Sequence, residues 1–172
     1  MAQDGTDGGL GQRDCTFDED GRWFRYRAAA VILHEGRVLM ARNEVEPYFY
    51  SIGGGVRHGE TAQDAVRREV REETGVDMEV DRLAFIHENF FAGDSTASLR
   101  GRECHELAFY FVMRYEPGMA LTAAGTTLDG VREWHEWVDL ATYGRDRPAH
   151  PAFFATELPR LGTSPAWIVS RG

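Results

Sequence analysis

The sequence predicts one domain of the α/β or α+β class, a mixed β-sheet covered on its faces by helices. Three observations carry this. An amphipathic helix from about Ala62 to Gly75 stands mid-chain between β-like apolar runs. A second, short helix is signalled near the end, from Pro151 to Leu158. No internal repeat and no linker divides the 172 residues, a length suited to a single core.

The elements follow in order. Residues 1–20 read as a flexible, acidic, glycine-rich arm, with no apolar periodicity from Met1 to Gln12, and residues 21–172 as the domain. The chain turns apolar at Trp23. Arg25–Leu33 and Val38–Arg42 read as paired strands around a His34–Arg37 turn with Glu35 and Gly36 at its tip. Tyr48–Ile52 is a short aromatic strand that delivers the chain into a glycine loop containing Gly53, Gly54, Gly55 and Gly59. After the helix, Val80–Phe91 reads as a strand, Ala92–Arg102 as a loop, and Glu106–Tyr115 as a strongly β-forming run. Trp134–Leu140 gives another strand, and Ala166–Ser170 a closing one.

Composition narrows the function. A net charge of −9 and a pI of about 5.1 argue against an electrostatic binder of nucleic acid. A phosphorylated ligand is repelled by such a surface unless a cation or local arginines hold it. Every basic residue in the Lys+Arg count is arginine, which excludes a lysine-based mechanism. Cys15 and Cys104 are too few for a zinc ribbon or a disulfide framework. No signal pattern and no membrane-length apolar run is present, so the expected location is cytoplasmic, with no membrane partner.

The chemistry concentrates on the central helix. Thr61 and Asp64 form a capping pair that starts it at about Ala62, and Gly75 stands where a left-handed C-terminal cap belongs. Ala62, Ala65, Val66 and Val70 make its apolar stripe, with Arg67 and Arg71 on the far side. Glu69, Glu72 and Glu73 fall at i, i+3 and i+4, so three carboxylates share one face beside the stripe. Like charges so placed cost an isolated helix roughly 0.2–0.5 kcal/mol per pair. A hard divalent cation offsets that repulsion, and Mg²⁺ is typically held by carboxylates together with substrate phosphates. Arg68 precedes Glu72 by four residues and is placed to pair with it. A solvated acidic face is the plainer alternative, but such a face needs no glycine-rich approach.

Gly54, Glu60, Arg68, Glu69, Val70, Glu72, Glu73, Gly75 and Val76 fill every fixed position of a known pattern. The stretch resembles the Nudix box, and the elements around it resemble a complete Nudix domain. The resemblance implies the family's α/β/α sandwich and a Mg²⁺-dependent hydrolase, with Mn²⁺ as substitute. It implies cleavage of a phosphoanhydride in a nucleoside triphosphate or another nucleoside diphosphate linked to a second moiety. Carried over, Glu69 and Glu73 are metal ligands, Glu72 joins when more than one ion binds, and the Gly54 carbonyl adds a further ligand. Arg68 orients a glutamate and Glu60 is structural. Two departures, Ile52 in place of a proline and Arg57 in place of an acid, bear on the substrate rather than on the metal ligands.

Outside the box the reading is open. The proton acceptor is a box glutamate or one of Glu103, Glu106 and Glu133. Arg42 and Arg57 are expected on phosphates. Phe49, with Tyr48 and Tyr50 beside it, is an expected contact for the nucleotide, although core packing is the commoner role of such aromatics. His58 and His105 read as solvent-facing. The nucleotide is expected between the Tyr48–Ile52 strand and the Ala92–Arg102 loop. Members acting on ADP-ribose often carry a proline beyond the box; here none occurs until Pro117, which weighs against that subclass. The rival reading is a catalytically silent, Nudix-like nucleotide-binding or sensor module. The sequence leaves room for a homodimer.

Overall fold

The computed structural model describes residues 13–95, 99–122, 124–126 and 130–172. The first twelve residues of the expected arm lie outside the described residues. Inside the stretch assigned to that arm, Thr16–Glu19 forms a strand, β1, antiparallel to β2 (Arg22–Val31). The turn between them is Asp20-Gly21, both at positive φ (49° and 75°). That dipeptide is a strong hairpin signal because both central residues of such a turn need φ > 0.

The strands divide between two mixed sheets. In the first, β1, β2, β8 (Glu103–Met113), β7 (Val80–Ala92) and β12 (Ala166–Arg171) lie side by side, and β6 (Gly53–Gly55) pairs with β2. In the second, β11 (Ala149–His150), β5 (Phe49–Tyr50), β4 (Arg37–Asn43), β10 (Arg132–Asp139) and β9 (Ala124–Thr126) follow in order, and β3 (Leu33–His34) pairs with β4. The strand expected at Arg25–Leu33 is therefore two elements. The chain leaves the first sheet after Val31 and enters the second at Leu33.

The Tyr48–Ile52 strand and the glycine loop also resolve differently. Only Phe49–Tyr50 is strand, in the second sheet, while Gly53–Gly55 is itself a strand of the first. Arg27 pins this crossing. Its guanidinium donates to the Ser51 carbonyl at 2.6 Å and to the Gly53 carbonyl at 3.2 Å. Glycine has low β propensity, so the sequence reads as a loop where the backbone is paired.

The helix α1 (Ala62–Thr74) forms where its caps predict. Thr61 Oγ1 accepts from the Asp64 N–H at 3.1 Å, and Gly75 closes the helix at φ 73° with its N–H on the Arg71 carbonyl. Ala65, Val66 and Val70 are fully buried, each valine contributing roughly 1.5–3 kcal/mol. They pack with Ala28, Ala30, Leu39, Ala41 and Phe111. The intervening residues Ala29, Val31, Val38, Met40 and Tyr110 turn to a second core with Phe154 and Leu158. Phe154 belongs to α2 (Phe154–Glu157), which begins after Pro151 rather than on it and runs into a 3₁₀ turn at Leu158–Arg160. Helices thus cover opposite faces of an α/β fold, as expected. Among the described residues no helix is long and apolar enough to cross a membrane.

Candidate active site

α1 runs along β6, and the absence of side chains on β6 is what lets its glutamates approach the backbone. A Cβ on Gly54 would stand 2.5–2.7 Å from the Glu69 carboxylate atoms. One turn on, Glu73 Oε1 accepts the Gly53 N–H at 2.9 Å. The side chains of Glu69 and Glu73 are only 16% and 18% exposed, whereas that of Glu72 is 48% exposed. Burial pushes the Glu69 and Glu73 carboxyls above the usual carboxylate range. Two of the three glutamates therefore face the protein, and Glu72 faces outward.

Arg68 organises this face. It donates to both oxygens of Glu60 (2.8 and 3.0 Å), to the Gly55 carbonyl at 3.0 Å and to Glu72 at 3.3 Å. It also donates to Glu69. Its strongest anchor is thus Glu60, not the Glu72 that helix spacing suggested. Glu60 in turn accepts the Arg57 N–H at 3.0 Å, and Arg68 beside it holds its carboxyl below the usual range. A planar guanidinium meets these partners at fixed angles, so the helix and β6 are tied together in one geometry.

A second group closes the site from β10. Ligand atoms of Glu73, Glu133 and His135 all lie within 4.8 Å of one another. The β10–β4 register sets Glu133 opposite Asn43 and His135 opposite Ala41. Two residues apart on a strand, they project on the same side. Tyr50 Oη donates to Glu133, and Asn43 Nδ2 donates to Tyr50 Oη at 3.2 Å. His135 Nδ1 lies 3.2 Å from the Thr122 carbonyl, while its Nε2 lies 3.7 Å from Glu73 Oε2. Burial pulls the His135 pKa down, but Glu73, the Thr122 carbonyl and Glu133 outweigh it and the net direction is upward.

The other expected site residues separate. Arg57 stands beside the helix, its guanidinium 4.0 Å from Glu72. Arg42 does not join it. On β4 it shares the parity of Val38 and Met40, which face the α2 core, and it is tied to Glu136 at 2.5 Å and to the Trp134 ring at 5.0 Å. Phe49 packs against that same core under Arg147. Its neighbour Tyr50 is the aromatic that reaches the carboxylates.

Of the three proton-acceptor candidates outside the box, Glu133 is the one that stands at the site. Glu106 is buried on the α2 side and bonded to Arg25, with Arg25 and Arg27 outweighing burial to lower its pKa. Glu103 is exposed at the start of β8. His58 is exposed as expected, but His105 is half-buried and stacked on Phe90 at 4.3 Å.

The ends of the Ala92–Arg102 segment are not beside Tyr48–Ile52, and residues 96–98 lie outside the described residues. Glu103, which follows it, pairs with Arg22, whereas Gly53 pairs with Ala29. Seven residues of strand separate those rows, about 23 Å. A cavity of about 550 Å³ opens at this distant end, lined by Phe17, Phe24, Phe90, His105 and Arg171 among others. It contains none of the α1 carboxylates, so volume and chemistry point to different places. The carboxylate face is the better candidate because it combines buried charge with convergent donors.

Sequence reasoning missed His135 and the role of Tyr50. The signal for His135 was present: Glu133 and His135 are two apart in a β-like run.

The donor set fits a divalent cation. Glu69 and Glu73 are half-buried oxygen donors, and the Gly54 backbone leaves space that a side chain would fill.

Residues 23–156 match the sequence model of the NUDIX domain. A MutT-like protein of Streptomyces ambofaciens is 36% identical over 66 residues, covering 38% of this chain and 43% of its own length. The dihydroneopterin triphosphate diphosphatase of Escherichia coli K12 is 43% identical over 51 residues, covering 29% of this chain and 34% of its own. The chain thus spans less than half the length of these curated relatives. The crystal structure of a MutT NUDIX hydrolase from Burkholderia pseudomallei superposes with a TM-score of 0.52 at 23% identity, covering 68% of this chain and 84% of that one.

Proposed function

The chain belongs to the NUDIX family, and we propose that it is a Mg²⁺-dependent pyrophosphohydrolase acting on a nucleoside diphosphate linked to another moiety. One observation carries the reading: Glu69 and Glu73 are half-buried, mutually repelling carboxylates held against a side-chain-free strand. A binding module without turnover has little use for such an arrangement. Glu69, Glu73 and the Gly54 carbonyl would hold the ion, with Glu72 joining for a further one. When bound, the ion supplies positive charge against the phosphate oxygens.

The residues of the chain do the rest. Arg68, anchored by Glu60 and the Gly55 carbonyl, fixes the direction of Glu69. The Gly53 N–H fixes Glu73. Arg57, next to Glu72, would take a phosphate through charge-assisted hydrogen bonds. A water proton would pass to one of Glu69, Glu72, Glu73 and Glu133, since acid–base groups act within hydrogen-bond reach.

The experiment is a panel of nucleoside triphosphates, nucleoside diphosphate conjugates and dihydroneopterin triphosphate, assayed with Mg²⁺ and then Mn²⁺. The triphosphate with a pterin head is included because a relative bears its name. The expected outcome is metal-dependent release of pyrophosphate, or of a monophosphate, from at least one member. Tight binding with no product from any member would favour the sensor module.

A further inference from the structure

We infer that Glu73, Glu133 and His135 form a metal-binding position that accepts nitrogen as well as oxygen ligation, of the kind Zn²⁺ takes. It shares Glu73 with the α1 face and adds two donors from β10 that the helix does not have.

His135 is the donor that sets this position apart from the helix face. Its side chain is 2% exposed, yet Nε2 makes no hydrogen bond. A buried nitrogen without a hydrogen bond is costly, and the group facing it is the Glu73 carboxylate, at ion-pair distance. The tautomer follows from the other nitrogen: a carbonyl only accepts, so Nδ1 carries the hydrogen that faces the Thr122 carbonyl at 3.2 Å. Nε2 is the atom left to face Glu73, and at 3.7 Å the two are too far apart for a hydrogen bond.

Each donor is also fixed from behind by a different element. Gly53 N–H holds Glu73, Tyr50 Oη holds Glu133, and the Thr122 carbonyl holds His135. Metal ligands are oriented by such outer partners, a histidine above all by a carbonyl on its second nitrogen. The spacing suits an ion. Donors each about 2.0–2.2 Å from a tetrahedral Zn²⁺ stand about 3.3–3.6 Å apart. His135 Nε2 and Glu73 Oε2 already stand 3.7 Å apart, and all three donors fall within 4.8 Å, so a side-chain closure of about an ångström brings them to that spacing.

Donor chemistry then separates the two positions. Mg²⁺ takes oxygen ligands and suits Glu69, Glu73 and the Gly54 carbonyl, with Glu73 free to offer its second oxygen to the β10 position. Imidazole suits zinc and its neighbours. This position would hold Zn²⁺ in the presence of excess Mg²⁺.

The test is calorimetric titration of the full chain with Zn²⁺ at about pH 8, where an ordinary imidazole is neutral, in millimolar Mg²⁺. One Zn²⁺ should bind the wild type. His135→Gln and Glu133→Gln should each weaken it by about 100-fold or more, and Glu69→Gln should retain it. On the wild type itself, long-range ¹H–¹⁵N spectra should show His135 Nε2 shifting with Zn²⁺ and not with Mg²⁺, a readout independent of whether any variant folds. Unchanged Zn²⁺ affinity in both β10 variants, or a His135 signal that Zn²⁺ leaves in place, would overturn the assignment. Neither readout uses turnover, so a failure here leaves the hydrolase reading to its own test.

Discussion

Replacing Glu73 by glutamine is expected to abolish most turnover while leaving the fold intact. Glutamine keeps the length of the side chain and an oxygen that can still accept the Gly53 N–H, now at 2.9 Å. It removes a charge that burial already disfavours and that Glu69 and Glu133 repel. Stability should therefore hold or rise slightly, because an unfavourable buried charge is gone. Activity should fall by roughly 10²–10⁴, the scale on which a positioned acid–base group matters. Steady-state kinetics at saturating Mg²⁺, beside a urea unfolding curve, measure both. Full turnover in this variant would remove Glu73 from the chemistry.

The second large effect comes from two adjacent glycines that should fail in opposite ways. Gly53 has φ 138°, and a Cβ there would stand 2.3 Å from the Ala28 carbonyl oxygen and 2.6 Å from Ala29 Cα. Both obstacles are backbone of the neighbouring strand, so Gly53→Ala must part β6 from β2. A loss of about 3 kcal/mol or more is expected, since strain and a broken strand contact add. At Gly54 the obstacle is instead the Glu69 carboxylate, the far end of a flexible side chain. Gly54→Ala should cost about 1 kcal/mol or less in stability, because the carboxylate can swing aside. It should still lower kcat/KM by roughly 10²-fold, the penalty of an ångström-scale misplacement. Denaturation midpoints and kinetics on the same two proteins separate these effects. A Gly53→Ala protein of normal stability, or a Gly54→Ala protein of normal activity, would contradict the packing described.

How much of this the sequence disclosed depends on the range of the interaction. α1 was legible because its signals are local: Thr61 and Asp64 at one end, Gly75 at the other, and an apolar stripe between them. A place beside that stripe pointed all three glutamates at the protein, an expectation that Glu69 and Glu73 follow and Glu72, turned outward, does not. β6 was not legible, since Gly53–Gly55 carries no side chains to alternate. Nor was the direction of Arg42. β4 is buried on both faces, Val38 and Met40 on one and Leu39 and Ala41 on the other, so hydrophobicity gives no period-two signal to say where Arg42 points. The same ambiguity hid the difference between Phe49 and Tyr50. The meeting of Glu133 and His135 with Glu73 rests on the pairing of β10 with β4, a contact between residues about ninety positions apart.

The central claim is that the glutamates of α1 hold a divalent ion against the β6 backbone. Anomalous diffraction from crystals grown with Mn²⁺ locates such an ion directly. An anomalous peak is expected within bonding distance of the Glu69 and Glu73 carboxylates and the Gly54 carbonyl. Saturating Mn²⁺ with no peak on that face, or a peak confined to the β10 side at Glu133 and His135, would contradict it.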